Sequence, residues 1–335
     1  MTQKTANMYD VAKLAGVSHQ TVSRVINESG NTKPETRDKV LAAIQELGYR
    51  PSMAARALAT SKSRMLGVLV SDSAFFGPSS MTHAMEVEAR AAGYFMVVVA
   101  VDAQDGQAVL DAIEHLKQLG VDGMIIIAPQ DSILETYRPM LLGMPLITID
   151  ATESADASSV SIDNIAGARL AVAHLAELGH SKIAHVSGPF TWYEAKARAR
   201  GYELELAARG LQRLPVIEGD WSARSGFEAG LRLIADFPEV TAVFAANDQT
   251  ALGLITAFAR NGIAVPQALS IVGFDNQDET EFYNPALTTV AQDFAGLGQH
   301  AMKLLLNSVS GSSLAAHEDV LPKLVVRSST AAPNK

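Results

Sequence analysis

The chain has 335 residues, of which 48% are hydrophobic and 19% are charged, a composition typical of folded globular proteins. This length exceeds what one ordinary hydrophobic core accommodates, so two or three domains are expected. The sequence contains no cysteine, which excludes a disulfide framework, a thiolate zinc site and a cysteine nucleophile.

Charge is divided unevenly along the chain, whose formal net charge is −9. Residues 1–62 contain nine Lys and Arg against five Asp and Glu, a net +4, whereas the rest contains 18 against 31, a net −13. A basic segment attached to an acidic body is compatible with nucleic-acid binding by the basic segment alone.

The sequence shows no targeting or membrane segment. MTQKTANMYD lacks the basic start and apolar run of a secretory signal. No stretch approaches the run of about 18 apolar residues that a membrane-spanning helix needs. We therefore expect a soluble cytoplasmic protein without a membrane partner.

The first periodic segment, residues 9–27, reads YDVAKLAGVSHQTVSRVIN. Its first half predicts a short helix whose buried side is formed by Tyr9, Val11, Ala12, Leu14 and Ala15. Gly16 suits the left-handed turn that ends such a helix, and Ser18 suits the N-cap of a second helix. In that helix Val22, Val25 and Ile26 face the core. Two helices joined by a tight glycine turn indicate a helix-turn-helix.

The outer face of the second helix carries His19, Gln20, Ser23 and Arg24. Gln pairs with adenine and Arg with guanine in the major groove, whereas short hydroxyl and amide side chains suit phosphate oxygens. A third predicted helix begins at Thr32–Pro34, has Val40, Leu41, Ile44 and Leu47 inward, and ends at Gly48. The alternative is a three-helix bundle that binds protein or nothing.

Together with TRDKVLAAIQELGYRPSMAARAL, this segment resembles the headpiece of the lac repressor family of bacterial transcription regulators. The resemblance implies that His19, Gln20 and Arg24 face bases. The positions that the resemblance places near phosphates are Ser18, Thr21, Ser23, Asn27 and Asn31.

Residues 51–62, PSMAARALATSK, read by themselves as a weak helix or a linker. The resemblance implies more, namely a hinge helix that is ordered when paired with its dimer mate on a pseudo-palindromic operator. Leu58 then matches an apolar wedge that enters the minor groove and bends the DNA. The alternative for Leu58 is a buried linker residue.

From Met65 onward, short apolar runs alternate with helical segments. The predicted strands are MLGVLV, FMVVVAV, GMIIIAP, PLITID, KIAHVSG, TAVFAAND and LSIVGFD. Such alternation predicts βαβ units, and the length suffices for two doubly wound parallel sheets. Ligands of such sheets bind beyond the carboxyl ends of the strands, here in a cleft between two lobes.

Polar residues follow several of these predicted strands, and each alone can be a helix cap. The set comprises Asp150, Arg198, Arg200, Asn247, Asp248 and Asp275, with Trp221 in a nearby loop. Polar groups bind the hydroxyls of a sugar, and an aromatic ring covers its apolar face. The sequence therefore favours a sugar site.

The resemblance to the lac repressor family extends over most of residues 63–334, through GDWSARSGF, FAANDQTALG, SIVGFDN, YNPALTTVAQDFAGLG and LVVRSSTAAP. It implies a headpiece at 1–50, a hinge at 51–62 and a bilobal core of the periplasmic-binding-protein type at 63–335. The N-lobe comprises about 63–161 plus 293–322, and the C-lobe about 162–292 plus 323–332. Implied ligand-binding positions are Ser71, Phe75, Asp150, Arg198, Trp221, Asn247, Asp275, Gln292 and Phe294, with Gly77 and Pro78 in the wall.

The chain departs from the family pattern at Ile162, Glu194 and Lys196, and Glu194 adds a charge near the proposed pocket. The chain has no leucine-heptad tail after Asn334, the segment that the resemblance associates with tetramers. We therefore expect a homodimer and no tetramer. We expect a repressor that a sugar, a galactoside or a related compound, releases from its operator.

Other functional classes receive less support. GLGQHA (296–301) fits a dinucleotide fingerprint only nominally, because it lies late in the chain inside a helical run. No G-x-S-x-G elbow, H-E-x-x-H or P-loop pattern appears, and nothing selects a carboxylate pair for glycoside hydrolysis. We therefore expect no enzyme, no cofactor and no metal. The alternatives are a corepressor-type regulator whose ligand, a sugar phosphate or a purine, strengthens DNA binding, and a periplasmic sugar receptor.

Overall fold

The computed structural model describes residues 6–26, 32–49, 62–71, 75–102, 105–127, 138–141, 143–149, 158–312 and 317–334. It divides into two compact units, the headpiece, Met1–Arg64, and the core, Met65–Lys335. Residues 51–61 of the predicted hinge helix lie outside the described residues.

The headpiece contains three helices, α1 (Met8–Ala15), α2 (His19–Ile26) and α3 (Pro34–Leu47). The amino end of α1 is closed by a capping box, in which Asn7 Oδ1 accepts from the backbone N–H of Asp10 and the Asp10 carboxylate accepts from that of Asn7. The helices share a buried core of Val11, Ala12, Val22, Val25, Val40, Ala43 and Tyr49. The predicted three-helix arrangement is confirmed.

The predicted inward positions of Tyr9, Leu14 and Leu41 are wrong, because these side chains are 71%, 45% and 47% exposed. Three short helices enclose only a narrow apolar stripe. Small residues, Ala12 and Ala43, occupy part of that stripe, and the larger side chains remain at its outer edges.

The core contains two six-stranded sheets. The first consists of β1 (Met65–Ser71), β2 (Phe95–Val101), β3 (Gly123–Ile127), β4 (Leu146–Ile149), β5 (Ser158–Ile162) and β11 (His317–Val320). The second consists of β6 (Ile183–Ser187), β7 (Val216–Glu218), β8 (Ala242–Ala245), β9 (Ser270–Asp275), β10 (Thr288–Ala291) and β12 (Lys323–Val325). The strand orders are β11-β5-β4-β3-β1-β2 and β12-β10-β9-β8-β6-β7. Neighbouring strands are parallel, apart from the antiparallel pair β10 and β12.

Helices cover both faces of each sheet, because the central strands are apolar on both sides. The first sheet, with α4 (Phe76–Ala91), α5 (Gly106–Gln118) and α10 (Phe294–Val309), forms the N-lobe. The second sheet, with α6 (Asn164–Glu177), α7 (Tyr193–Ala208), α8 (Ala223–Asp236) and α9 (Asp248–Arg260), forms the C-lobe. The predicted doubly wound α/β core is confirmed. Short 3-10 turns lie at Arg138–Leu141 and Asp278–Phe282.

Neither lobe is built from one continuous stretch of chain. The chain passes from N-lobe to C-lobe after β5, returns after β10, and passes again between β11 and β12. We call these three links the crossovers. Within the described ranges, no helix is both long enough and apolar enough to cross a bilayer.

Candidate functional site

In the headpiece, the turn between α1 and α2 presents the outer face of α2. Gly16 has φ 65°, the left-handed conformation that glycine adopts without strain. Ser18 Oγ accepts from the N–H of Thr21 at 3.2 Å, so Ser18 caps α2 as predicted. Val22 and Val25 are buried, whereas Gln20 and Arg24 are exposed. The arrangement has the geometry of a helix-turn-helix, with α2 presented to a partner.

Tyr9 has a role that the sequence did not indicate. Its ring stacks on the imidazole of His19, with the centroids 4.6 Å apart and the planes at 23°. Stacking restricts the His19 side chain on the face of α2 that is predicted to read bases. We infer that Tyr9 orients His19 rather than filling the core.

Three of the five residues predicted near phosphates are described, and they lie on α2 or directly before it. Ser18 is exposed, and Thr21 and Ser23 are half-buried at its side. Asn27, Asn31 and Leu58 lie outside the described residues.

In the core, a cavity of about 400 Å³ lies between the two lobes at the ends of the strands. Most of the predicted ligand-binding residues line it, namely Phe75, Gly77, Pro78, Arg198, Trp221, Asn247, Asp275, Gln292 and Phe294. Ser71 is the last residue of β1, and Asp150 lies outside the described residues. Strands distant in sequence therefore bring their polar ends to one place.

Arg198, on α7, is a buried cation in the lining of this cavity. Its Nε donates to Asn164 Oδ1 at 2.8 Å, and its Nη1 donates to the carbonyl oxygen of Ala246. Nη1 also lies 3.6 Å from Asp275 Oδ1, and the guanidinium carbon lies 4.0 Å from the centroid of the Phe274 ring. These contacts hold the guanidinium in one orientation.

Asp275 ends β9 and is also buried. Its Oδ1 accepts from Gln292 Nε2 at 2.6 Å. Burial raises the pKa of Asp275 to about 6, although the charge of Arg198 and hydrogen bonds from Gln292 and Gln277 act in the opposite direction. Asp248 is buried close by, where it accepts from Thr289 Oγ1 at 2.6 Å, and burial together with the charge of Asp275 raises its pKa as well.

The raised pKa of Asp275 predicts a pH-dependent stability of the core. The folded chain holds this proton more tightly than the unfolded chain, so the free energy of unfolding falls as pH rises from the ordinary pKa of 3.8 to about 6. We expect Asp275 to account for a loss on the order of 1–3 kcal/mol in wild type. Asp275→Asn should lose less, but not nothing, because the pKa of the buried Asp248 is raised as well. Urea unfolding across this pH range measures both, and equal pH slopes in the two proteins would contradict the assignment.

Asn247 combines two roles that the sequence left as alternatives. Its Oδ1 accepts from the N–H of Thr250 at 2.8 Å and so caps α9. Its Nδ2 donates to the carbonyl oxygen of Trp221 at 3.0 Å. Trp221 has φ 70°, a conformation unusual for a large residue, and this hydrogen bond helps to hold it. Asn247 is therefore both a helix cap and a support of the cavity wall.

The apolar wall of the cavity is aromatic. Trp192 contacts Trp221 edge-to-face, with centroids 5.8 Å apart, and contacts Phe75 of the N-lobe in the same way at 5.6 Å. The indole of Trp221 lies against Gly188, where any Cβ would overlap it. The Nε1 of Trp221 is buried without a hydrogen-bond partner among the described residues. The wall thus forms a corner with ring faces in two directions.

Several lining residues were not predicted. Trp192, Gln249 and Gln277 line the cavity, and Gln249 Nε2 donates to Gln277 Oε1 at 3.0 Å. Trp192 and Gln249 could have been found, because they follow the predicted strands KIAHVSG and TAVFAAND within a few residues.

Of the departures from the family pattern, Glu194 lines the cavity. Lys196 is exposed and Ile162 belongs to the core of the N-lobe. Arg200, one of the polar residues noted after the strands, is exposed and pairs with Glu203 at 3.7 Å. Only Glu194 of these four is placed to affect ligand choice.

Comparison with known proteins agrees with both parts of this description. Residues 7–52 match the family model of bacterial regulatory proteins of the lacI family, and residues 172–330 match a periplasmic binding protein-like domain. The Lactose operon repressor of Escherichia coli (strain K12) is 36% identical over 334 residues, which cover 99% of this chain and 92% of that protein. The HTH-type transcriptional repressor PurR of Haemophilus influenzae (strain ATCC 51907 / DSM 11121 / KW20 / Rd) is 32% identical over 335 residues, covering 97% and 98%.

Among solved structures, the lac repressor dimer bound to operator and the anti-inducer ONPF superposes with a TM-score of 0.93. The two sequences are 35% identical, and the match covers 98% of this chain and 100% of the chain in the solved structure. The likeness includes the headpiece and both lobes. The chain therefore belongs to the lacI family of bacterial regulatory proteins and is a DNA-binding transcriptional repressor with a periplasmic-binding-protein-like core.

Proposed function

We propose that this repressor controls a sugar-utilisation operon and that a small sugar, a galactoside or a related compound, releases it from its operator. The observation that carries the proposal is the composition of the cavity. Its lining combines the polar side chains of Arg198, Asn247 and Asp275 with the indoles of Trp192 and Trp221. Carboxylate, amide and guanidinium groups bind hydroxyls, whereas indole faces cover the apolar face of a pyranose ring.

The charges in the cavity favour a neutral ligand over a sugar phosphate. Among the described lining residues, Arg198 is the one cation, and Asp275, Asn164 and Ala246 O already surround it. The other charged lining groups are the carboxylates of Glu194 and Asp275. A phosphate would thus meet more negative than positive charge.

The shape of the aromatic wall favours a sugar over a purine. A flat base stacks best between parallel rings, whereas here Trp192 meets Trp221 at 68° and Phe75 at 83°. A corner of this kind suits a puckered ring with two exposed edges. A purine is the alternative ligand, since PurR is among the relatives. As a corepressor, a purine would strengthen operator binding instead of weakening it.

In the mechanism we propose, α2 of each protomer of a homodimer reads one half of a pseudo-palindromic operator, with His19, Gln20 and Arg24 toward the bases. The sugar prefers the arrangement of the core that separates the two hinge segments, and its binding therefore weakens operator binding. The N-lobe offers a surface for the second copy, because Phe95 and Val98 on edge strand β2 and Val87 on α4 are exposed. Such a protein acts in the bacterial cytoplasm and has no enzymatic activity.

The experiment that tests the proposal uses the two tryptophans of the chain, which both line the cavity. Their fluorescence is expected to change when a galactoside is added, and calorimetry on a panel of sugars, sugar phosphates and purines gives the affinities. We expect Trp192→Ala to weaken sugar binding by about 1–2 kcal/mol. The matched control is Phe282→Ala, an aromatic residue that is 82% exposed and not in the cavity lining.

A gel shift with and without the bound compound then gives the sign of the response. Weaker operator binding supports an inducer, and stronger operator binding supports a corepressor. Binding of a purine alone would contradict the proposed ligand class.

A further inference from the structure

The three crossovers are the parts of the core that must bend if the lobes move. The first passes through Asp163, the second through residues 292–293, and the third through residues 321–322. The N–H of Asp163 donates to the carbonyl oxygen of Val320 at 3.2 Å, so the first crossover is joined to the end of β11, where the third crossover begins.

Asn164 connects the first crossover to the cavity. Its Nδ2 donates to the carbonyl oxygen of Ile162 at 3.0 Å, across the crossover, and its Oδ1 accepts from Arg198 Nε at 2.8 Å. The side chain is only 2% exposed, so both hydrogen bonds are shielded from water. One buried amide therefore bonds to the crossover with one end and to a cavity residue with the other.

Gln292 connects the second crossover to the same group. Its Nε2 donates to Asp275 Oδ1 at 2.6 Å, and that oxygen lies 3.6 Å from Arg198 Nη1. A continuous path thus runs from Asn164 through Arg198 and Asp275 to Gln292.

Arg327, two residues beyond β12, supports the loop that follows Asp275. Its Nη2 donates to Asn276 Oδ1 at 2.8 Å, and its Nη1 donates to the carbonyl oxygen of Leu287 at 2.8 Å. Asp275 and Asn276 have φ 108° and 53°, and backbone in this region needs such support to persist. The segment that leaves the third crossover therefore helps to fix the position of Asp275.

We propose that Asn164 and Gln292 are positioning residues that couple the first two crossovers to each other through the Arg198–Asp275 pair, and that Arg327 links the third crossover to this pair. A ligand that binds Arg198 and Asp275 then acts on all three crossovers together. This regulatory role rests on the proposed function, because it assumes that the cavity ligand controls operator binding.

The coupling itself is testable in the full-length, ligand-free protein by hydrogen exchange. Asn164→Ala should speed backbone exchange about tenfold or more in peptides covering residues 160–165 and also in those covering 289–295. Asn164→Asp keeps an acceptor for Arg198 but loses the donor to Ile162. It should therefore restore slow exchange at 289–295 but not at 160–165.

The control is Asn261→Ala, which also removes a side-chain hydrogen bond to a backbone carbonyl, that of Ala257, and should leave both peptides unchanged. Gln292→Leu is the reciprocal variant, should Asn164→Ala fail to fold, and we expect it to speed exchange at 160–165. The proposal would be overturned if exchange became faster only at the mutated crossover. It would also be overturned if exchange at 289–295 were equally fast in Asn164→Ala and Asn164→Asp. Because no ligand is added, either result is independent of the sugar panel.

Discussion

Replacing Asp275 with asparagine should abolish the response of operator binding to the sugar while operator binding itself remains. Asp275 is 8% exposed and lies beside Arg198, so its carboxylate can accept hydroxyl hydrogen bonds in a water-poor cavity. Bonds to a charged acceptor contribute about 1.5–3 kcal/mol each, and losing two lowers the sugar affinity by about 100-fold or more. Titration by tryptophan fluorescence measures this loss.

The control for that experiment is Asp278→Asn, which makes the same chemical change on an exposed residue three positions away. It should bind the sugar and release the operator as wild type does. Gel shifts on both variants without sugar test the headpiece, which lies in the other unit of the chain. An Asp275→Asn protein that still responds normally to the sugar would refute the assignment of the cavity.

Arg24→Ala should weaken operator binding and relax base preference at one position of each half-site. Arg24 is exposed in the last turn of α2, on the helix whose opposite side buries Val22 and Val25. A bidentate contact to guanine contributes about 1–3 kcal/mol of discrimination, and a dimer loses it in both half-sites. Selection from a library of operator variants, at a stated salt concentration, measures affinity and preference together.

Lys13→Ala removes the same charge from an exposed position on α1 and serves as the matched control. It is expected to lower affinity evenly across sequences, if it lowers affinity at all. An even loss in Arg24→Ala, with base preference unchanged, would show that Arg24 contacts only phosphate.

The strands that could be predicted are those with uninterrupted apolar runs, such as β3 and β9, because burial on both faces demands them. β5, with the sequence SSVSI, gave no such signal. Its Ser159 and Ser161 are buried, and pairing with β4 and β11 makes it a strand. β7 and β12, each three residues long, are likewise defined by their neighbours in the sheet.

The candidate cavity was predictable where a polar residue lies at the end of an apolar strand or just beyond it, as Asp275 and Asn247 do. Asn164 could not be found in this way. It is the first residue of α6, and its importance comes from Arg198, which lies 34 residues further along the chain. In the headpiece, periodicity placed Tyr9 in the core, because a hydrophobic pattern does not distinguish core packing from stacking on the half-buried imidazole of His19.

The interleaved lobes have a consequence for synthesis on the ribosome. The headpiece helices are complete at Leu47, whereas the N-lobe lacks α10 and β11, and the C-lobe lacks β12, until the chain has been made beyond residue 325. Until then, the N-lobe core lacks the apolar residues of α10, among them Leu297 and Met302, and stays exposed to solvent. A nascent chain can therefore fold its DNA-binding headpiece long before it can fold its ligand-binding core. In that interval, the exposed apolar surfaces of the two lobes are the sites at which chaperones would bind.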